Sequence, residues 1–234
     1  MLTGIKVEAR DVFLPLLVRA DDLQAALRLC ARYFNPRLGD GILRVEDEQG
    51  HVRVLRCRYA GGLEGNGRDG GYGWQKIGIR LRALSPYWEA ENPKNYVFAM
   101  QPPVLFFQSP FFPLRISRGS IDGLVTVQND GDVEAYPIIT ATGPLTSLEV
   151  QNLTSGKTLN FPVLSMTAGD VLVVDARPDA LRVTLDGANA WGLLTATSSL
   201  WSVGTGANQL KIITTGTDSN SSVTMSFFEQ YLTV

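Results

Sequence analysis

The strongest constraint on this chain is a missing period. From about residue 97 to the end, no segment repeats apolar residues at the 3.6 spacing of a helix. Short β-branched runs recur there instead, punctuated every 8 to 12 residues or so by turn formers, the spacing of a β-sandwich or barrel. The expected strands are Arg115–Ile116, Leu124–Gln128, Ala135–Thr142, Leu148–Asn152, Thr158–Phe161, Val171–Asp175, Arg182–Leu185, Gly192–Thr195, Gln209–Thr214 and Val223–Tyr231. Asn129-Asp130-Gly131-Asp132, Ser155-Gly156, Ala168-Gly169-Asp170 and Asp186-Gly187 supply turns, with residues that tolerate or require positive φ. A second helix-bearing enzyme domain is excluded on that count.

Composition changes at the same place. Ser and Thr together number 2 in residues 1–96 and 29 in residues 97–234. The first stretch carries 15 Lys and Arg against 12 Asp and Glu, the second 6 against 11. Between them, prolines at 102, 103, 110 and 113 deny ladder donors and favour an extended connector. The reading is therefore two domains, residues 1–96 and 114–234, joined by a Pro-rich linker over 97–113.

In the first domain, Asp21 or Asp22 caps an amphipathic helix with Leu23, Ala26, Leu27, Cys30 and Phe34 on one face, and Asn35-Pro36 stops it. Gly41 to Asp47 and His51 to Tyr59 flank Glu48-Gln49-Gly50 as a hairpin. Gln75 to Leu84 alternates Ile77, Ile79, Leu81 and Ala83 with Lys76, Gly78, Arg80 and Arg82, a half-buried strand with a basic outer face. Tyr87 and Trp88 close the module. Ile5 to Ala9 and Val12 to Val18 add one or two strands, and Pro15 confines the second to an edge or a bulge.

Several function classes are excluded or disfavoured. The longest apolar runs fall far short of the roughly 18 residues that span a bilayer, so no membrane insertion is expected. Charged residues between Lys6 and Arg19 interrupt any signal-peptide core, which leaves the sequons at Asn152 and Asn220 without a secretory context. A net charge of −2 with no basic run argues against nucleic acid. Cys30 and Cys57 have no CxxC partner and read as buried thiols. Gly65-Asn66-Gly67-Arg68-Asp69-Gly70 spells G-x-G-x-x-G, but a strand follows where a phosphate site needs a helix N-terminus.

His51 is the single histidine. Acyl-transfer chemistry would have to run through it, yet Cys57 lies about 20 Å along the same strand at ~3.3 Å per residue. An exposed strand-end histidine is the better reading. The acids Glu46, Asp47 and Glu48, and Asp130, Asp132 and Glu134, match no calcium loop and read as turn solvation. Trp191, Trp201, Tyr136, Tyr231 and Phe227-Phe228 offer sugar stacking or, more simply, core packing.

The joint order of several motifs carries a resemblance. Phe112-Pro113, Ile116 to Ser120, Val125 to Asp132, Ala135 to Thr140 and Gly143-Pro144 resemble the distal tail proteins of long-tailed, siphovirus-type bacteriophages. Asn152 to Gly156, Ala168-Gly169-Asp170, Val183 to Asn189, Ser198 to Trp201 and Gly206 to Gln209 follow in that family's order. Upstream, Gly39 to Leu43, Arg56 to Tyr59 and Ser85 to Trp88 resemble the later half of its ring-forming domain. Within these motifs Asn129, Gly131, Asp132, Pro137, Gly143 and Pro144 are the family's structural turn residues.

The resemblance implies a mainly β chain, with a partial belt domain of strands plus one helix followed by a galectin-like antiparallel sandwich. Family members carry further residues before the position of Met1, hence a partial belt. It implies no catalytic residues, no metal and no cofactor, and a virion-tail location. The implied role is a ring adaptor, of six copies, joining tail tube to tip and meeting other tail-tip and tail-tube proteins. Arg53, Arg80 and Arg82 are the candidate interface residues on the basic face. Two other classes stand beside this reading: a carbohydrate-binding module that grips host surface glycan, and a hydrolase, which needs two carboxylates converging in a pocket.

Overall fold

The structure is a computed structural model that describes residues 9–63, 70–99, 104–105, 115–116 and 122–234. The chain forms two compact units, Met1–Glu91 with Tyr231–Val234, and Asn92–Gln230. It is mainly β.

The first unit contains β1 (Arg10–Arg19), α1 (Leu23–Tyr33), β2 (Gly41–Glu46), β3 (Val52–Gly61), β4 (Gly70–Gly71), β5 (Trp74–Ala83) and β6 (Trp88–Ala90). Antiparallel pairing runs β1-β5-β3-β6, with β2 also on β3 and β4 on β5. Among the described residues β1 pairs with β5 alone, the edge position that Pro15 requires. Asp22 caps α1, its side chain accepting from the Ala25 N–H at 2.9 Å. The half-buried helix positions include Leu23, Ala26, Leu27 and Cys30, with Phe34 at the C-cap, while the opposite side is exposed. Leu27 and Phe34 pack with Val12, Leu14 and Val18 over a core of Leu55, Cys57, Ile77, Ile79, Leu81, Ala83 and Trp88. The alternation in β5 thus became a buried row and a solvent row, as its period of two demands.

The second unit contains β7 (Lys94–Ala99), β8 (Val104–Leu105), β9 (Arg115–Ile116), β10 (Asp122–Asn129), β11 (Ile138–Thr142), β12 (Ser147–Asn152), β13 (Lys157–Phe161), β14 (Val171–Asp175), β15 (Arg182–Leu185), β16 (Ala188–Asn189), β17 (Gly206–Thr215) and β18 (Ser222–Phe227), and β19 (Gln230–Tyr231) lies at the division of the units. Tyr231 and the residues after it belong to the first unit. One sheet is ordered β10-β17-β12-β13, the other β16-β15-β14-β11-β18-β7, and β8 pairs β9. Val127, Leu148, Val150, Leu159, Phe161, Leu210 and Ile212 of the first sheet share one core with Ile139, Leu172, Val174, Val183, Val223, Met225 and Phe227 of the second. This is a sandwich. In β12 the alternation is complete, with Leu148, Val150 and Asn152 buried between half-buried Ser147, Glu149 and Gln151.

Several expectations change. The division falls at Glu91/Asn92, because Lys94–Ala99 is an edge strand paired with β18. Of the expected linker, residues 100–103 and 106–113 lie outside the described residues, as do Ile5 to Glu8, Phe112-Pro113, Ser117 to Ser120 and Gly65 to Asp69. Gly192–Thr195 is no strand: Leu193 N–H donates to Ala190 and Leu194 N–H to Trp191, which closes a 3-10 turn over Trp191–Leu193. The strand expected from Ala135 begins at Ile138, after Pro137, which has no donor to give. The last expected strand divides into β18 and β19 around Phe228-Glu229. Cys57 is buried, whereas Cys30 on the helix is only half-buried. Ile79, fully buried at the centre of the first unit's core, should cost about 2–5 kcal/mol on truncation to Ala. Urea denaturation of the two proteins measures it.

Candidate functional site

The most developed polar arrangement lies in the second unit, at the expected Asn129–Asp132 turn. Asn129 is buried, and its amide donates to the carbonyls of Val133 at 3.0 Å and Val203 at 3.1 Å while its Oδ1 accepts from the Gly131 N–H at 3.0 Å. A short carboxamide saturates the buried backbone groups of a turn whose two aspartates face solvent. Gly131 leaves no room for more: a Cβ there would stand 2.6 Å from the Gln230 carbonyl oxygen. Asp132 N–H donates to that same oxygen at 2.8 Å.

Around this turn an ion cluster closes. Lys94 Nζ reaches Asp130 Oδ2 and Glu229 Oε1, each at 2.6 Å. Glu229 Oε1 also accepts from the Asp130 N–H at 2.7 Å, and its side chain is only 10% exposed. Burial works against the Lys94 charge, yet the hydrogen bonds to Asp130 and Glu229 outweigh it and raise its pKa above the ordinary lysine value. Asp130 is correspondingly held low by Lys94 and then by Gln128. Next along β7, Tyr96 Oη accepts from the Gln128 N–H at 3.0 Å, and its ring stacks on Phe227. The cluster therefore ties the β10 edge of one sheet to the β7 and β18 edge of the other.

The remaining turn residues also have backbone work. Pro137 O accepts from the Ala176 N–H at 3.0 Å. Gly143 N–H donates to Asp170 O at 2.9 Å, and a Cβ on Gly143 would meet Thr167 O at 2.3 Å. Pro144 O accepts from Ser221 Oγ at 2.8 Å. At the end of β14, Asp175 is fully buried and forked by Arg177, with Nε to Oδ1 at 2.9 Å and Nη2 to Oδ2 at 2.7 Å. Burial pushes the Asp175 carboxyl up, but the Arg177 hydrogen bonds prevail and hold it below the usual carboxylate range.

In the first unit the expected basic face is real for Arg80 and Arg82 and different for Arg53. Arg82 lies opposite Asp11 of β1 and Arg58 of β3 on the solvent side, with Asp11 at 3.9 Å and Arg58 paired to Asp40 at 2.7 Å. Arg80 lies opposite Phe13, which is 63% exposed. Arg53 shares the face of Leu55 and Cys57, where its guanidinium sits 3.6 Å above the Tyr231 ring. Alternation along β3 follows its buried residues and carries Arg53 inward.

The other candidates do not converge. His51 is exposed and shares a 2.8 Å hydrogen bond with Asp47, which lowers the Asp47 pKa. Burial raises the Cys57 thiol, the opposite of nucleophile activation. Glu46 pairs with Arg44, and Glu134 accepts from Tyr136 and Ser202. Among the described residues no group of three His, Cys, Asp or Glu side chains is placed to hold a metal ion, and no helix is long and apolar enough to cross a membrane. Trp201 and Phe227 are core residues, Tyr136, Tyr231 and Phe228 are half-buried, and Trp191 is 43% exposed. Sequence reasoning missed Lys94, Tyr96 and Glu229. The change of composition at residue 96 assigned Lys94 and Tyr96 to the first module, away from the turn they meet.

Residues 130–231 match the family model of the siphovirus-type tail component, C-terminal domain. The protein is a structural component of the phage tail. The match opens at Asp130, inside the ion-paired turn, and ends beyond Glu229, so the tail-component domain includes two of the three charges. Among solved structures, a chain of the phage P2 baseplate in its activated conformation with Ca is 11% identical at a TM-score of 0.53, covering 96% of this chain and 80% of that chain. The same baseplate with Sr matches equally, at 11% identity, TM-score 0.53 and the same coverage. At this identity the likeness concerns the fold, a mainly β architecture. No curated protein matches. The tail component thus belongs to the virion tail, as its motif order implied.

Lys94→Met should cost about 1.5–3 kcal/mol, the range for hydrogen bonds to charged groups, and Gly131→Ala about 1–3 kcal/mol through backbone overpacking. Both are measured by chemical denaturation at pH 7. Asp175 contributes stability above its unfolded pKa of about 3.9 and loses it as pH falls through its lower folded value. The stability gap between wild type and Asp175→Asn should therefore be full near neutrality and shrink on acidification below the unfolded value. A gap independent of pH would contradict the assignment.

Proposed function

We propose that this tail component is a non-enzymatic ring adaptor of the tail tip, whose first unit meets further copies of itself while its sandwich faces neighbouring tail-tip and tail-tube proteins. The observation that carries the reading is the solvent face of the first unit. There β1 presents Phe13, 63% exposed, beside Arg80 and Arg82 of β5, and further along Leu17, 49% exposed, opposite Lys76. Large apolar side chains interleaved with arginines are the composition of an interface core and its rim, and among the described strands β1 stands at the edge of its sheet. In a six-membered ring each contact is heterologous and closes by rotation, burying on the order of 800 Å² per partner. Arg80 and Arg82 are the interface candidates. Arg53, stacked on Tyr231, instead braces the unit from within.

A second reading, glycan recognition by the sandwich, is supported by a polar cleft of about 350 Å³ beside β13.

Sedimentation velocity over a hundredfold concentration range tests the adaptor. The expected result is a species several times the 25.5 kDa monomer whose population grows with concentration, and whose assembly weakens at least about tenfold in a Phe13→Ser, Arg82→Glu variant. A strict monomer at every concentration would remove the mechanism.

A further inference from the structure

β13 is the last strand of its sheet, yet its outer edge is not bare. The 195–199 segment runs along it: Thr195 N–H donates to Asn160 O and Ser199 N–H to Thr158 O, each at 3.0 Å. Ser198 Oγ accepts from the Asn160 N–H at 2.9 Å and returns a 3.3 Å bond to its carbonyl. This covering protects the edge from strand addition. It also helps build the cleft of about 350 Å³, within the roughly 300–1,000 Å³ typical of small-ligand sites.

The lining is chemically distinctive. Glu149 and Asn160 stand directly opposite each other in the β12–β13 register, on the outward side of the sheet. Gln151 Nε2 donates to Glu149 Oε1 at 2.7 Å, which orients the carboxylate and leaves Oε2 for another donor. Among the described residues, the side chains of Lys157, Thr158, Asn160 and Ser199 engage no protein partner. No aromatic or aliphatic side chain lines the space, so an apolar ligand would gain nothing there. A multiply charged anion would face Glu149, a cation would face Lys157, and one carboxylate is too few for a hard metal ion. Hydroxyl groups satisfy every part of the lining, because each donates to a carboxylate and accepts from an amide or ammonium.

We propose that this cleft is a saccharide-binding site, with the hydroxyls of a neutral pyranose bridging Glu149 and Asn160 and reaching Lys157, Thr158 and Ser199. The proposal rests on the glycan reading above and gives it a location.

The test uses the full-length chain, labelled with nitrogen-15 and titrated with the methyl glycosides of glucose, galactose and N-acetylglucosamine, alongside a broad glycan array. Glu149→Gln and Asn160→Ala are compared with Gln209→Ala, an exposed position elsewhere on the same sheet face. At least one glycoside should shift the amides of Thr158, Asn160, Ser198 and Ser199 saturably. The two cleft variants should weaken that binding about tenfold or more, the loss of roughly one hydrogen bond, while Gln209→Ala leaves it unchanged and all three keep the wild-type spectrum elsewhere. Saturable binding that survives both cleft substitutions would overturn this site and leave glycan recognition standing. Silence from every glycoside and from the array would overturn both.

Discussion

A sandwich has two sheets and therefore two open sides, and on one of them this chain relies on a lysine. Lys94 projects from the outermost strand of one sheet and takes its two carboxylates from the turn that ends β10 and from the segment that follows β18. Each partner limits the others. Without the ammonium, Glu229 would be a nearly buried carboxylate that has lost its cation, a costly state. Without Asn129 and Gly131 the turn would not bring Asp130 into reach. The apolar core supplies the bulk of the stabilisation, but it does not specify which edges meet. The ion-paired corner does.

The two units also differ in what they leave on their surfaces. The sandwich spends its special residues, among them Asn129, Asn152 and Asn208, on saturating turns from within. What remains outside on its four-stranded sheet is mostly polar, Leu124 and Ile213 excepted, and beside β13 it forms a cleft. The first unit instead leaves large apolar side chains in solvent next to arginines. A module with a largely polar outer face and a second one with exposed apolar side chains beside arginines are the surfaces on which the proposed adaptor role rests.

Much of this was legible from residue order. The alternation of β5, β12 and β14 and the capped face of α1 are local properties, and local properties survive folding because tertiary contacts agree with them. The turn residues were legible for the same reason, though their burial was not: nothing in the string Asn129-Asp130-Gly131 says that its amide faces two distant carbonyls. Gly192–Thr195 misled because a stretch of four residues is too short to show a period of its own. Arg53 misled because the strand phase is set by Leu55 and Cys57 further along. Lys94, 36 positions from Asp130 and 135 from Glu229, is a site made entirely by topology, and no spacing rule reaches that far.

Amide hydrogen exchange on the wild-type chain and on Lys94→Met tests the corner most directly. If the ion cluster joins the two sheets, the β7 amides and those of the 129–132 turn will be protected together in the wild type and will lose protection together in the variant, while β14 and β12 keep theirs. Loss confined to β7, with the turn still slow to exchange, would mean that the lysine only anchors its own strand.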